Sequence, residues 1–114
     1  EKVIGVDNLN DYYDPLLKKH RLELIEDENF TFYKGDIEDY QFLENVFQSH
    51  KISKVVNLAA RAGVRYSLEN PHVYLTTNAN GTLNLLELMS KHEIKKFVFA
   101  STYSLYERQN MTFV

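Results

Sequence analysis

The feature that most constrains this chain is its alternation of short apolar runs with longer stretches of helical period. Residues 3–6, 30–33, 54–58 and 97–100 are short runs rich in Val, Ile, Phe and Leu, and each is bounded by turn chemistry. Between them lie three helical stretches. Asp14-Pro15 opens the first, with Asp as cap and Pro at the first helical position. Asp39 caps the second, which runs to about residue 49 with Phe42, Leu43, Val46 and Phe47 on one face. Asn70-Pro71 opens the longest, expected to run unbroken to about residue 92 with Leu75, Asn78, Ala79, Leu83, Leu86 and Met89 recurring at helical steps. The first helix carries an apolar stripe of imperfect period, from Leu16 to Ile25. Residues 59–66 read as a loop of small residues.

The order β-α-β-α-β-α-β predicts right-handed crossovers and an α/β fold with a parallel sheet. The strand runs are continuous rather than alternating, which predicts strands covered on both faces by helices. A length of 114 residues fits one small domain, with 44% apolar and 25% charged residues. The absence of cysteine excludes disulfides and thiolate metal sites. A net charge of −3, from 13 Lys and Arg against 16 Asp and Glu, gives no electrostatic footprint for nucleic acid. No apolar run approaches the ~20 residues that span a bilayer. With no basic-then-apolar leader, a cytoplasmic protein is expected. The chain starts directly in a strand and ends on an apolar stretch, so a piece of a longer protein is expected.

In an open α/β sheet, ligands bind outside the carboxyl ends of the strands. Four such ends are readable: Asp7-Asn8, Asp36-Ile37, the run Ala59-Ala60-Arg61-Ala62-Gly63, and Ser101-Thr102. A carboxylate ending an apolar strand, as Asp7 does, can accept hydrogen bonds from both hydroxyls of an adenosine ribose and repels a 2′-phosphate. The same carboxylate serves equally well as a cap of the following turn. Asp36-Ile37 can bond an adenine amino group and cover one ring face, or be an ordinary turn. Ala59-Ala60 lets backbone come close to a ligand, or packs a helix tightly on a strand. Ser101 and Thr102 offer hydroxyls that can donate to a reacting oxygen, or form a solvated turn. Arg61 and Arg65 can grip a phosphate or carboxylate, or lie free in solvent.

Other signals are set aside. His20, His50, His72 and His92 lack metal-ligand spacing, and His50 and His92 fall near helix ends where a cation suits the dipole. Lys18-Lys19-His20-Arg21 reads as a solvated helix face. The eight tyrosines form no platform that the sequence locates.

Taken together, several segments resemble the extended short-chain dehydrogenase/reductase family, specifically its nucleotide-sugar epimerases of polysaccharide biosynthesis. They are Asp7-Asn8-Leu9-Asn10-Asp11-Tyr12-Tyr13-Asp14-Pro15, Gly35-Asp36-Ile37, the run from Leu58 to Ser67, Asn78-Ala79-Asn80-Gly81-Thr82 and Ala100-Ser101-Thr102. The Asp-Tyr-Tyr-Asp-Pro and Ala-Gly-Val-Arg-Tyr-Ser stretches mark the subgroup that acts on UDP-glucuronate. The resemblance implies NAD as cofactor. Asp7 and Asn8 would hold its adenosine ribose and Asp36 and Ile37 would flank adenine. Leu58, Ala59 and Ala60 would run beside ribose and pyrophosphate, with Asn78 and Ser101 supporting the cofactor site. Thr102 falls on the catalytic Ser/Thr position, and Arg65 and Ser67 fall in a loop that approaches the substrate. The implied reaction converts UDP-glucuronate to UDP-galacturonate through a 4-keto sugar, in a cytoplasmic homodimer that needs neither metal nor nucleic acid nor membrane.

The sequence departs from the family pattern in places. Tyr103 and Glu107 stand where small residues are usual, and neither a Gly-x-x-Gly-x-x-Gly phosphate loop nor a Tyr-x-x-x-Lys is present among these residues. A partial Rossmann-like sheet is therefore expected, lacking the first strand and phosphate loop, with residues 1–114 as part of an NAD-binding domain and no substrate domain. The strands at 3–6 and 54–58 would lack their common neighbour and show open edges. Such a piece is expected to be inactive, to bind NAD weakly, and to be marginal or to pair with another copy. Two other readings stand beside this one: a nucleoside-diphosphate-sugar 4,6-dehydratase, or a non-catalytic module on the same fold.

Overall fold

In the computed structural model the described residues are 1–101, with Val64 described by its backbone alone. Strand β1 (Val3–Asp7) is followed by helix α1 (Pro15–Leu24), β2 (Phe30–Lys34), α2 (Tyr40–Ser49) and β3 (Lys54–Asn57). Then come α3 (Val64–Glu69), α4 (Pro71–Tyr74), a π-helical segment (Leu75–Gly81), α5 (Thr82–Lys91) and β4 (Lys96–Phe99). The two expected aspartate caps form. Asp14 accepts from the Leu16 amide at 2.9 Å with Pro15 inside the first turn, and Asp39 accepts from the Phe42 amide at 3.0 Å.

The strands pair in parallel as two separate ribbons. β1 lies on β2 with Val3 opposite Phe30, and β3 lies on β4 with Val55 opposite Phe97. Among the described residues β1 and β3 share no ladder, as expected for strands without their common neighbour.

The core is the α2–α5 layer against one face of the β3–β4 ribbon. Leu43, Phe47, Leu85, Leu88, Met89 and Ile94 are buried together, with Val55 and Phe97 packed against them. Successive strand residues point to opposite faces. Val56 and Val98 therefore point away from this layer, and they are 56% and 60% exposed. The expectation of strands covered on both faces is thus corrected for this ribbon, because α2 and α5 both lie on the same side. Helix α1 buries none of its residues, in keeping with its poor apolar period.

Three further expectations are corrected. β3 stops at Asn57, so Leu58 lies beyond the strand and is exposed. The loop ends at residue 63, because a short helix, α3, begins at Val64; six residues are too few for a helical period to be legible. The long helix is not uniform. Its π segment adds one residue to the turn and shifts the phase of everything after it. The buried positions are Thr77, Gly81, Leu85, Leu88 and Met89, while Leu75, Leu83 and Leu86 face outward.

The burial pattern of α5 generates a direct test. Leu88→Ala, at a position with no exposure, should cost about 2–5 kcal/mol in denaturant unfolding. Leu83→Ala, at a position 53% exposed, should change stability by no more than about 0.5 kcal/mol. Equal losses at both positions would contradict the buried face assigned to α5.

Candidate functional site

The carboxyl ends of β1, β2 and β3 converge on a cleft of about 290 Å³. Asp7, Asn8, Asp36, Ile37, Leu58, Ala59 and Ala60 all line it, so seven residues singled out from sequence share one cavity. Asp7 closes the turn after β1 and also lines the cleft. Its Oδ1 accepts from the Leu9 amide at 2.6 Å, closing the turn in which Leu9 takes a left-handed φ of 51°. Its side chain is nevertheless 52% exposed. The Asn8 amide nitrogen donates to Asp36 Oδ2 at 3.0 Å, and Asp36 Oδ1 accepts from the Glu38 amide at 3.0 Å. This joins the ends of β1 and β2 into one wall.

The long helical run pins both walls. The Asn84 amide donates to the carbonyls of Ile37 at 2.9 Å and Glu38 at 3.1 Å, and the Thr77 hydroxyl donates to Glu38 Oε1 at 2.6 Å. Gly81 lets the helix touch the same turn: a Cβ there would fall 2.5 Å from Ile37 Cδ1. On the other wall, Asn78 clamps Arg61 from both sides of its backbone, accepting from its N–H at 2.7 Å and donating to its carbonyl at 3.2 Å. Buried Asn57 accepts from the Ala59 amide at 3.0 Å and fixes the start of that loop.

Asn78 thus acts on the cleft through Arg61. Ser101 is exposed just past β4. Arg65 and Ser67 do not line the cleft; they lie on α3, two positions apart and hence on different faces. The loop expected to carry them is a helix at these residues. Thr102 lies outside the described residues.

Sequence reasoning missed Lys18 and the tyrosines. Lys18 is not on a solvated face. Its side chain is only 11% exposed and its Nζ donates to Asn10 Oδ1 at 3.0 Å, 3.8 Å from Asp7 Oδ1 and 4.7 Å above the Tyr13 ring. Its position one turn inside a helix that follows Asp7 closely was the available signal. Tyr12, Tyr66 and Tyr74 form a ring cluster at the cleft mouth, brought together across more than 60 positions of sequence. No spacing rule could have found it.

The residues present fit the adenosine end of a dinucleotide. An exposed carboxylate faces the cleft, a buried aliphatic side chain backs it, and a small-residue loop allows backbone to approach. Among the described residues no group of three or more His, Asp or Glu is arranged to hold a metal ion, and no helix is long and apolar enough to cross a membrane.

A parallel α/β fold with this cleft defines a nucleotide-binding class, and comparison with known proteins specifies it. The family model described as GDP-mannose 4,6 dehydratase matches residues 1–112, and the chain belongs to that family. It is 57% identical over 112 residues to a UDP-glucuronate 4-epimerase of Thermodesulfobacterium geofontis, covering 97% of this chain and 35% of that protein. It is 45% identical over 105 residues to UDP-glucuronate 4-epimerase 4 of Arabidopsis thaliana, covering 91% of this chain and 24% of that one. Its fold matches the UDP-glucose 4-epimerase of Bifidobacterium longum, solved with NAD+ and UDP, with a TM-score of 0.77 and 34% identity over 93% of this chain and 31% of the other. The chain therefore spans about a third or less of the length of these relatives. The epimerase resemblance read from the motifs is upheld.

Tyr74 donates toward the carbonyls of Ala62 and Gly63, at 2.6 Å each. Desolvation, followed by the neighbouring Tyr12 and Tyr66, raises its pKa above the ordinary 10.0, against a lowering by Arg61. A raised folded-state pKa means that the neutral phenol is the favoured form. Its contribution is complete below the ordinary value and is lost as pH rises through the folded one. In an alkaline absorbance titration, the component removed by Tyr74→Phe should ionise above the ordinary tyrosine range.

Proposed function

We propose that this chain is the adenosine-binding part of an NAD-dependent nucleotide-sugar 4-epimerase, with UDP-glucuronate and UDP-galacturonate as its substrate pair. The supporting observation is the convergence of Asp7, Asn8, Asp36, Ile37 and the residue 58–61 loop on one cleft at the strand ends. The 57% identity to a UDP-glucuronate 4-epimerase supports the substrate class. In this reading Asp7 Oδ2 accepts from the ribose hydroxyls, Lys18 holds the Asp7 wall, and Asp36 and Ile37 bracket adenine. Leu58, Ala59 and Ala60 run along the ribose and pyrophosphate, and Asn78 and Ser101 support them. Held by these residues, NAD would supply reversible hydride-acceptor chemistry at the sugar. Thr102 hydrogen-bonds the sugar O4, and Arg65 and Ser67 reach toward the substrate from α3. A homodimer and a cytoplasmic location belong to the same reading and rest on the resemblance alone.

The family model's description favours a second reading, a nucleoside-diphosphate-sugar 4,6-dehydratase. That chemistry wants an acid pair just after Thr102, where the sequence has Tyr103 and Ser104.

Asp7→Asn separates the two roles of this residue. It retains an oxygen for the Leu9 turn and removes the charge that a ribose would meet. NAD titrated into the chain and followed by backbone amide shifts should bind at least about tenfold more weakly to the variant, the scale of one charge-assisted hydrogen bond. The preference for NAD over NADP should shrink as well. An unchanged NAD affinity would leave Asp7 as a turn residue only.

A further inference from the structure

The two sequence stretches that mark the epimerase subgroup, around Tyr12 and around Tyr66, touch each other. The Tyr12 ring meets the Tyr66 ring edge-on, with centroids 5.6 Å apart and planes at 61°. Tyr66 in turn packs on Tyr74 at 6.1 Å. The Tyr12 hydroxyl lies 3.4 Å from the Ala62 carbonyl, the same carbonyl that Tyr74 engages. Gly63 makes the approach possible. Its φ of 101° is in the left-handed region, and a Cβ there would lie 3.2 Å from the Tyr12 hydroxyl.

This contact crosses the cleft. Tyr12 belongs to the loop after β1, which Lys18 ties to the nucleotide wall through Asn10, Tyr13 and the neighbourhood of Asp7. Tyr66 belongs to α3, between Arg65 and Ser67. β1 and β3 share no ladder among the described residues, so backbone pairing does not hold these two sides in register.

We propose that Tyr12 is a positioning residue that sets α3 against the nucleotide wall, so that filling the adenosine site fixes the segment carrying Arg65 and Ser67. This rests on the nucleotide reading of the cleft and adds to it a link from the cofactor side to the substrate side. The linking element is the ring of Tyr12, because a 3.4 Å hydroxyl contact is weak and the edge-on ring pair supplies the packing.

Adenosine monophosphate is the suitable probe, since it reaches the Asp7 wall without extending to α3. Titrated into the isotope-labelled chain, it should shift the amides of Asp7, Asp36 and Ile37 and also those of Tyr66, Ser67 and Leu68. In Tyr12→Ala the first group should still respond, while the α3 response falls at least about threefold, within the range of side-chain coupling. Tyr12→Phe should keep both responses, and Tyr66→Leu should repeat the loss from the α3 side. Unchanged Ile37 and Leu88 amides in the free variants would verify that the core is intact. An α3 response that survives Tyr12→Ala overturns the tyrosine link and leaves the nucleotide site standing. An absence of any response at Asp7, Asp36 and Ile37 in the unaltered chain overturns both.

Discussion

Everything in this structure depends on one helical run that is apolar on one side and polar at chosen points on another. Between residues 71 and 91 it supplies Leu85, Leu88 and Met89 to the core against α2 and the β3–β4 ribbon. The same run carries Thr77, Asn78 and Asn84, whose side chains bond the backbone or side chains of both cleft walls. Hydrophobic burial holds the helix in place, and directional hydrogen bonds carry that placement to the ligand-facing loops.

The cleft itself shows how a short polar residue can serve two ends. Asp7 closes its own turn with one oxygen and lines the cleft, while the Asn8–Asp36 bond continues the link between β1 and β2 past their last ladder pair. Glycines lie where close approach is needed. A side chain at Gly81 would strike Ile37, and one at Gly35 would fall 2.2 Å from the Phe42 ring. The two walls meet at the mouth through aromatic rings, not through a shared sheet.

Much of the fold was legible because the responsible forces are local. The caps at Asp14 and Asp39, the four strand positions and the face of α2 follow from side-chain chemistry within one turn or one pleat. The cleft residues were legible because strand ends in a parallel sheet fall on one edge by geometry. Leu83 and Leu86 were misread as core because α5 carries apolar residues on more than one flank, and packing against α2 selects Leu85, Leu88 and Met89. Lys18 was misread as solvated because the direction of a long side chain depends on Asn10, Tyr13 and Asp7, none of which the helix pattern reports. Helix α3 escaped because it is shorter than two full turns.

The sequence by itself determined the order of elements, the parallel connections and the set of residues at the strand ends, since each depends on neighbours close in the chain. Only the tertiary structure decided the one covered face of β3–β4, the buried face of α5 and the meeting of Tyr12, Tyr66 and Tyr74. Those depend on which surfaces pack and which edges find a partner, and packing between residues 50 positions apart has no local signature for a sequence to display.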